Sequence, residues 1–402
     1  MKRIFLQRLL LRTARVSRGT SGFTLLELLV SAIMAVIMVT TLITFATSIL
    51  ETDRKEQAKV ATQEEIQAAL DYIADDMQEA VYIYDADGIA AITSGTNSAN
   101  KLPTGTDKTP VLVFWKRTLL ERDSEVTLAI DGTKRLVKCL GVATPAADGS
   151  NCYGTDQFVY SLVAYYLVKD ATPSATWSKA ARIERWEVKD GIVNPNCAST
   201  DATCTTGARR SDGYQTVDTN YYYVKPDNGF VRFDLSAQAT TLSGKMNLWK
   251  ETAAVAFNSY SAQTLVDYID DTPHASNQDD GSGSGILNIP IRSNATALNS
   301  TNNANLDCES NAADSKGGTG GGSVRVPADF GSATINPTGL TSFYACVNSR
   351  LDRPVARVFI RGNALARLFD DKSFRPLGNA NNNTFIPTAN TLIFGRSVVV
   401  PN

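Results

Sequence analysis

The sequence predicts an α+β fold: a long N-terminal helix, transmembrane in its first part and amphipathic in its second, packed on an antiparallel β-sheet domain with long loops. Three observations predict it. Residues 23–87 contain neither glycine nor proline, so no breaker interrupts a helix there. From Phe23 to Leu50 the only charged residue is Glu27, and that run is long enough to cross a hydrocarbon core of about 30 Å. After residue 110, short apolar and β-branched runs follow one another without a helical period between them.

The flanks of the apolar run orient it. Lys2, Arg3, Arg8, Arg12, Arg15 and Arg18 precede it, and no acid occurs before Glu27. The positive-inside rule keeps residues 1–22 cytoplasmic and sends the chain after Leu50 across the membrane. A cleaved secretory signal fits poorly, because the run is too long and no small-residue cleavage site follows it closely. Glu27 is the anomaly. A carboxylate inside an apolar span costs roughly 2.5–3.5 kcal/mol on insertion, so it must be protonated, near an interface or paired.

Gly22-Phe23-Thr24-Leu25-Leu26-Glu27 resembles the processing site of type IV pilins and type II secretion pseudopilins. The resemblance implies that a membrane aspartyl protease, the prepilin peptidase, cuts between Gly22 and Phe23 and that Phe23 is then N-methylated. It also implies that Glu27 pairs with the terminal amine of a neighbouring subunit in a growing filament. A buried acid and a buried amine are each costly alone, and pairing offsets part of that cost. In the family, the subunit at the filament tip lacks this acid, so Glu27 argues against that role.

The second half of the helix is amphipathic. Val60, Ile66, Leu70, Ile73, Met77 and Ala80 recur near helical spacing, and the helix is expected from about Thr24 to about Tyr82. Asp85-Ala86-Asp87-Gly88 reads as the turn that ends it. Thr52–Gln57, Glu65–Met77 and Ala80–Asp85 resemble cyanobacterial pseudopilins assigned to hormogonium polysaccharide secretion, which support surface gliding. The implied organisation is a cleaved leader (1–22), a transmembrane helix segment (23–50), an amphipathic segment (51–84) and an exported β-rich domain (85–402), with a polar insert at about 270–323.

Strands are expected at Val111–Trp115, Gln157–Val168, Arg182–Val188, Gly229–Asp234, Ala253–Asn258, Gly285–Ile291, Ser342–Val347, Val355–Ile360 and Thr391–Val399, with a polar loop over 92–110. Gln157–Val168 with Arg182–Val188 resembles the paired central strands of larger minor pilins and of the J-type pseudopilin. Residues 194–220 and 270–323 are too polar to build a core and read as loop or linker.

The six cysteines, Cys139, Cys152, Cys197, Cys204, Cys308 and Cys346, all fall on the exported side, where an oxidising compartment favours disulfides. Sequence alone does not choose the connectivity. Nearest-neighbour pairing, 139–152, 197–204 and 308–346, is the expectation. A metal site is not expected: no CxxC occurs, and the single histidine, His274, lies in a polar stretch.

No catalytic set stands out, and no enzyme activity is expected. One histidine leaves no room for most histidine-based triads, and neither a Gly-x-Ser-x-Gly elbow nor a P-loop occurs. No cofactor is expected. Asp85, Asp87, Asp267, Asp270, Asp271, Asp279 and Asp280 could supply calcium ligands, as in some pseudopilins, but match no defined calcium loop. Tyr221–Tyr223 and Trp115, Trp177, Trp186 and Trp249 could stack on sugar rings, although most strand aromatics are core. Arg353, Arg357 and Arg361 fall on one strand face and could contact an acidic polysaccharide; a solvated charged face is the plainer reading.

The resemblance therefore implies a minor pilin or pseudopilin in a type IV pilus-like or type II secretion-like filament, supporting polysaccharide secretion and motility. Its head is too bulky for every position of a fibre. Implied partners are prepilin peptidase, other pilins or pseudopilins, the inner-membrane assembly platform, the membrane and an exported polysaccharide. The implied location is the inner (plasma) membrane, single-pass, with the C-terminal domain periplasmic or extracellular, and the filament after assembly. Nucleic acid is not expected: six of the 39 basic residues precede Phe23 and none of the 41 acids does, so the chain after residue 22 is acidic. The competing class is a membrane-anchored exported binding protein for carbohydrate or a surface; a variant is a minor pilin for adhesion or DNA uptake.

Overall fold

The computed structural model describes residues 22–93, 102–129, 131–142, 144–146, 148–172, 175–194, 222–227, 230–249, 262–271, 308, 323–330, 332–348, 354–369 and 385–395. The chain divides into two units, Met1–Arg54 and Lys55–Asn402. Helix α1 (Leu25–Gln78) contributes to both.

In the first unit, α1 exposes large apolar side chains all along Leu25–Leu50, among them Leu29, Ile33, Val36, Ile37, Leu42 and Phe45. Among the described residues it is the one helix long and apolar enough to cross a membrane. Its hydroxyls are satisfied within the helix: Thr40 donates to the Val36 carbonyl at 2.7 Å and Thr44 to the Thr40 carbonyl at 2.8 Å.

In the second unit, α1 buries Ala58, Thr62, Ile66, Ala69, Leu70, Ile73 and Met77, a stripe at spacings of three and four. Val60, expected on this stripe, is 52% exposed. It lies six residues before Ile66, on the other side of the helix, and Thr62 takes the core position. The helix stops at Gln78 rather than near Tyr82. Val81, Tyr82 and Ile83 instead belong to strand β1 (Ala80–Ile83), fully buried and paired antiparallel with Phe114–Lys116. Helix periodicity carries no information about a strand partner more than thirty residues away.

Asp85–Gly88 is not a helix-ending turn either. It starts α2 (Ala86–Thr93), with the Asp85 carboxylate accepting from the Gly88 N–H at 2.8 Å, as an N-cap aspartate does. The expected loop over 92–110 is shortened from both sides, by α2 and by β2 (Lys108–Leu120).

The remaining elements follow in chain order. They are β3 (Glu125–Thr127), β4 (Lys134–Leu136), β5 (Gln157–Val168), β6 (Ala181–Lys189), β7 (Ile192–Val193) and β8 (Tyr222–Val224). Then come α3 (Leu242–Met246), β9 (Gln263–Ile269), β10 (Val324–Val326), β11 (Phe343–Asn348), β12 (Val355–Arg361), α4 (Ala364–Leu368) and β13 (Thr388–Phe394). Residues 230–234, expected as part of a strand, form none. The strands expected at 253–258 and 285–291 lie outside the described residues.

Two main sheets form, where one sheet was the expectation. The first has order β1-β2-β5-β6-β9 and the second β10-β11-β12-β13, with every pairing antiparallel. β3–β4 and β7–β8 are small satellite pairs. A bridge between Ile269 and Gly362 joins the two main sheets, and one apolar cluster runs through both and through the α1 stripe. One face of the first sheet turns its side chains to α1. On the other, Phe230, Phe233 and Trp249 meet Trp115 edge-on at 6.0, 5.1 and 5.9 Å between centroids.

Cys139–Cys152 and Cys308–Cys346 are disulfides. Cys197 and Cys204 lie outside the described residues. The second bridge packs with Phe330, Tyr344 and Phe359 in a small cluster of its own. The start of the polar insert moves: Asp270 and Asp271 are buried against the sheet junction rather than in a loop.

Candidate processing and assembly site

Gly22, Phe23 and Thr24 precede the first turn of α1 in non-helical conformation and are exposed, Phe23 to 76%. Thr24 caps the helix. Its Oγ1 accepts from the Glu27 N–H at 3.2 Å, and its carbonyl accepts from the Leu28 N–H at 3.1 Å. Thr24-Leu25-Leu26-Glu27 is thus a Ser/Thr-x-x-Glu capping sequence, a helix-start signal that the sequence reading did not use. Glu27 lies in the first turn, where the helix dipole favours an acid. Gly22 has no local reason to be glycine. A Cβ there would meet nothing within 4 Å, and its φ is not left-handed.

The second unit anchors α1 from its far end through a buried ion network. Asp76 accepts from Arg185 Nε at 2.8 Å and Nη2 at 3.1 Å, from Lys116 Nζ at 2.8 Å and from the Tyr165 hydroxyl at 2.7 Å. Arg185 Nη1 also donates to Glu187 at 2.8 Å. Strands β2, β5 and β6 place these side chains side by side, because Tyr165 faces Arg185 and Ser161 faces Lys116 across the ladder. Burial alone would raise the Asp76 pKa; the hydrogen bonds and charges of Arg185 and Lys116 outweigh it and hold the carboxyl below its ordinary value. Burial acts the same way on Glu187, and Arg185 overrides it.

A second clasp lies a few turns earlier. Arg367 of α4 donates to Thr62 Oγ1 at 2.9 Å and pairs with Glu65. Beside it, Gly362 lets the end of β12 approach α1: a Cβ there would fall 2.5 Å from Thr62 Cγ2 and 3.2 Å from Ile66 Cγ2.

The acids considered for calcium have other work. Asp267 accepts from the Ser178 N–H at 2.9 Å and hydroxyl at 2.7 Å, Asp270 pairs with Arg361 at 2.6 Å, and Asp271 pairs with Lys169 at 2.7 Å. Asp87 is exposed on α2. Among the described residues no group of three potential ligands comes together; Asp279 and Asp280 lie outside them. The arginine stripe on β12 is corrected. Arg361 is 2% exposed against Asp270 and Thr341, Arg357 is exposed, and Arg353 is outside the described residues. Strand alternation predicts a shared face, but it cannot foresee that the strand's end is covered at the sheet junction. Trp115, Trp186, Trp249 and Tyr222 are core, not sugar platforms; Trp177 is 38% exposed.

Compared with protein-family models, with curated proteins and with solved structures, the chain matches none. What stands on observation is a class: an α+β protein whose N-terminal helix is long and apolar enough to span a membrane.

Proposed function

We propose that this membrane-anchored protein exposes its Lys55–Asn402 unit outside the cytoplasm. More particularly, it is a minor pilin or pseudopilin, cut between Gly22 and Phe23 by prepilin peptidase and N-methylated at Phe23. It then joins a type IV pilus-like or type II secretion-like filament that supports polysaccharide secretion and surface motility. The observation that carries this reading is the junction ahead of α1. An exposed Gly22-Phe23 bond precedes a capped helix, and Glu27 is the only charge on an apolar surface running to Leu50. A plain anchor needs no such acid, and local folding does not call for glycine at 22. A new amine at Phe23 and a neighbour's Glu27 would neutralise one another inside the filament.

Mass spectrometry of the mature N-terminus, in cells with and without prepilin peptidase, tests processing. The expected result is a methylated Phe23 terminus that disappears without the peptidase; a chain starting at Met1 in both strains refutes it. Glu27→Ala is expected to leave processed protein in the membrane and out of filaments, and normal assembly of that variant refutes the pairing role.

A further inference from the structure

Beyond the neighbouring strands, the first sheet narrows to two. β1 pairs with β2 only as far as Lys116, and β6 pairs with β5 only from Ser161 onward. Arg117 still donates to the Glu79 carbonyl at 3.1 Å and Tyr160 still accepts from the Asp190 N–H at 2.8 Å; beyond them, among the described residues, Thr118–Leu120 and Gln157–Val159 pair only with each other. Arg117 lies opposite Tyr160, and Leu119 opposite Phe158, so these four side chains share one face. It is the face that carries Trp115, two residues before Arg117, and so the face turned away from the Asp76 network.

The composition of this face is unusual for a solvated ribbon. Leu119 is 45% exposed and Phe158 54% exposed, directly across from each other. The Arg117 guanidinium lies over the Phe158 ring at 4.4 Å. Arg232, exposed in the segment that covers Trp115, lies over the Tyr160 ring at 4.0 Å. Phe233 supports that ring edge-on at 5.5 Å. Neither guanidinium has a carboxylate within salt-bridge distance among the described residues, whereas Arg182, Arg185, Arg361 and Arg367 are all paired. Stacking occupies the flat face of a guanidinium and leaves its in-plane N–H groups free for a planar anion. Phe158 and Tyr160 are two residues apart on one strand, so the two rings that carry the guanidiniums stand next to each other on one face, roughly 7 Å apart along the strand.

We propose that the ribbon face formed by Arg117, Leu119, Phe158, Tyr160 and Arg232 binds an acidic polysaccharide. Each guanidinium takes a carboxylate of a uronic-acid unit, and the exposed Phe158 and Leu119 take the apolar C–H face of the sugar ring between them. Charge complementarity selects an anion: among the described residues Arg117 faces no carboxylate, and Arg232 interacts through its charge with Asp190 but makes no ion pair with it. Two guanidiniums outside any salt bridge among the described residues, with exposed apolar groups beside them, suit a chain that presents carboxylates and C–H faces in repetition. This inference rests on side chains of the Lys55–Asn402 unit alone and not on the filament reading.

Binding is to be measured on the full chain in detergent with polygalacturonate, with neutral dextran and polyglutamate as comparison probes. The wild-type chain is expected to bind polygalacturonate, weakening as salt rises, and to ignore dextran. The double substitution Arg117→Gln with Arg232→Gln is expected to weaken binding at least about tenfold. Phe158→Ser, which keeps both charges, is expected to weaken polygalacturonate binding but not any residual binding of polyglutamate. The proposal is overturned if the wild-type chain does not bind polygalacturonate. It is equally overturned if the double variant binds unchanged, or if polyglutamate binds as tightly as the polysaccharide with Phe158→Ser without effect on either. All three positions are on the surface, and thermal unfolding checks that the variants are folded. Should one not fold, competition of the wild-type chain between the two anionic polymers still decides. Failure here leaves the processed N-terminus untouched, and the two readings fail separately.

Discussion

Asp76 gathers four donors from three strands around one carboxylate near the end of α1. Replacing it by asparagine leaves Arg185 with Glu187, and Lys116 with Glu187 and the half-exposed Glu79, as counter-charges, and the expected cost is about 3 kcal/mol. Urea unfolding checks this; a loss below about 1 kcal/mol would mean that Glu187 and water replace the missing charge. The network also sets an acid limit. Asp76 and Glu187 are held below their ordinary 3.8 and 4.5. Their contribution is therefore complete above those values and is lost as pH falls further. Asp190 has the opposite sign. Burial pushes its carboxyl up to about 6, against a Gly191 N–H bond and the Arg232 charge that pull it down. The folded state then binds the proton more tightly than the unfolded one, so stability declines from about the ordinary 3.8 up through about 6 and levels off above it. Asp190→Asn is expected to stabilise the protein at pH 8 by up to about 3 kcal/mol and to change little at pH 4. Unfolding midpoints at the two pH values decide the matter.

At the scale of elements, α1 is held to the sheets by close approach as much as by charge. Gly362→Ala drives a methyl into Thr62 Cγ2 and is expected to cost about 1–3 kcal/mol. Adding Thr62→Ser removes that Cγ2 while keeping the hydroxyl for Arg367, and part of the loss should return. If the second change brings nothing back, the clash with Ile66 dominates. The Cys139–Cys152 bridge closes a short span next to the satellite hairpin β3–β4. Its removal by paired serine substitution is expected to cost about 3 kcal/mol, read as a lower unfolding midpoint of the variant than of the oxidised protein.

For the molecule as a whole, the two sheets share one apolar cluster and a backbone bridge at Ile269–Gly362. Arg361, Asp270 and Asn363 reinforce that junction: the Asp270 N–H donates to the Arg361 carbonyl at 3.0 Å, and the Asn363 N–H to the Tyr268 carbonyl at 2.7 Å. A shared core predicts one cooperative transition. Tryptophan fluorescence reports the first sheet through Trp115, and chain-wide circular dichroism reports both. Coincident thermal curves are expected from the full chain in detergent; separated curves would show that the sheets unfold independently.

The helix, its apolar first half and the strands at Gln157–Val168 and Val355–Ile360 were legible because a run without breakers and a β-branched, aromatic run are local facts. The Gly22-Phe23-Glu27 junction is also a local pattern, and its role as a processing and assembly site is the proposal made above. Helix α1's end was not legible, since Ala80–Ile83 becomes a strand only because β2 lies alongside it. Asp270, Asp271 and Arg361 looked like solvated loop and sheet residues, and Asp76 like one more polar helix position. Their burial follows from chain segments that meet across about a hundred residues. The sequence determined where a long apolar helix begins, which residues favour strands and where the unusual acid lies, because propensity and hydropathy act on neighbours in the chain. Only the tertiary structure decided the two-sheet arrangement, the partners of the buried charges and the exposed arginine–aromatic ribbon, because packing and charge pairing act between neighbours in space.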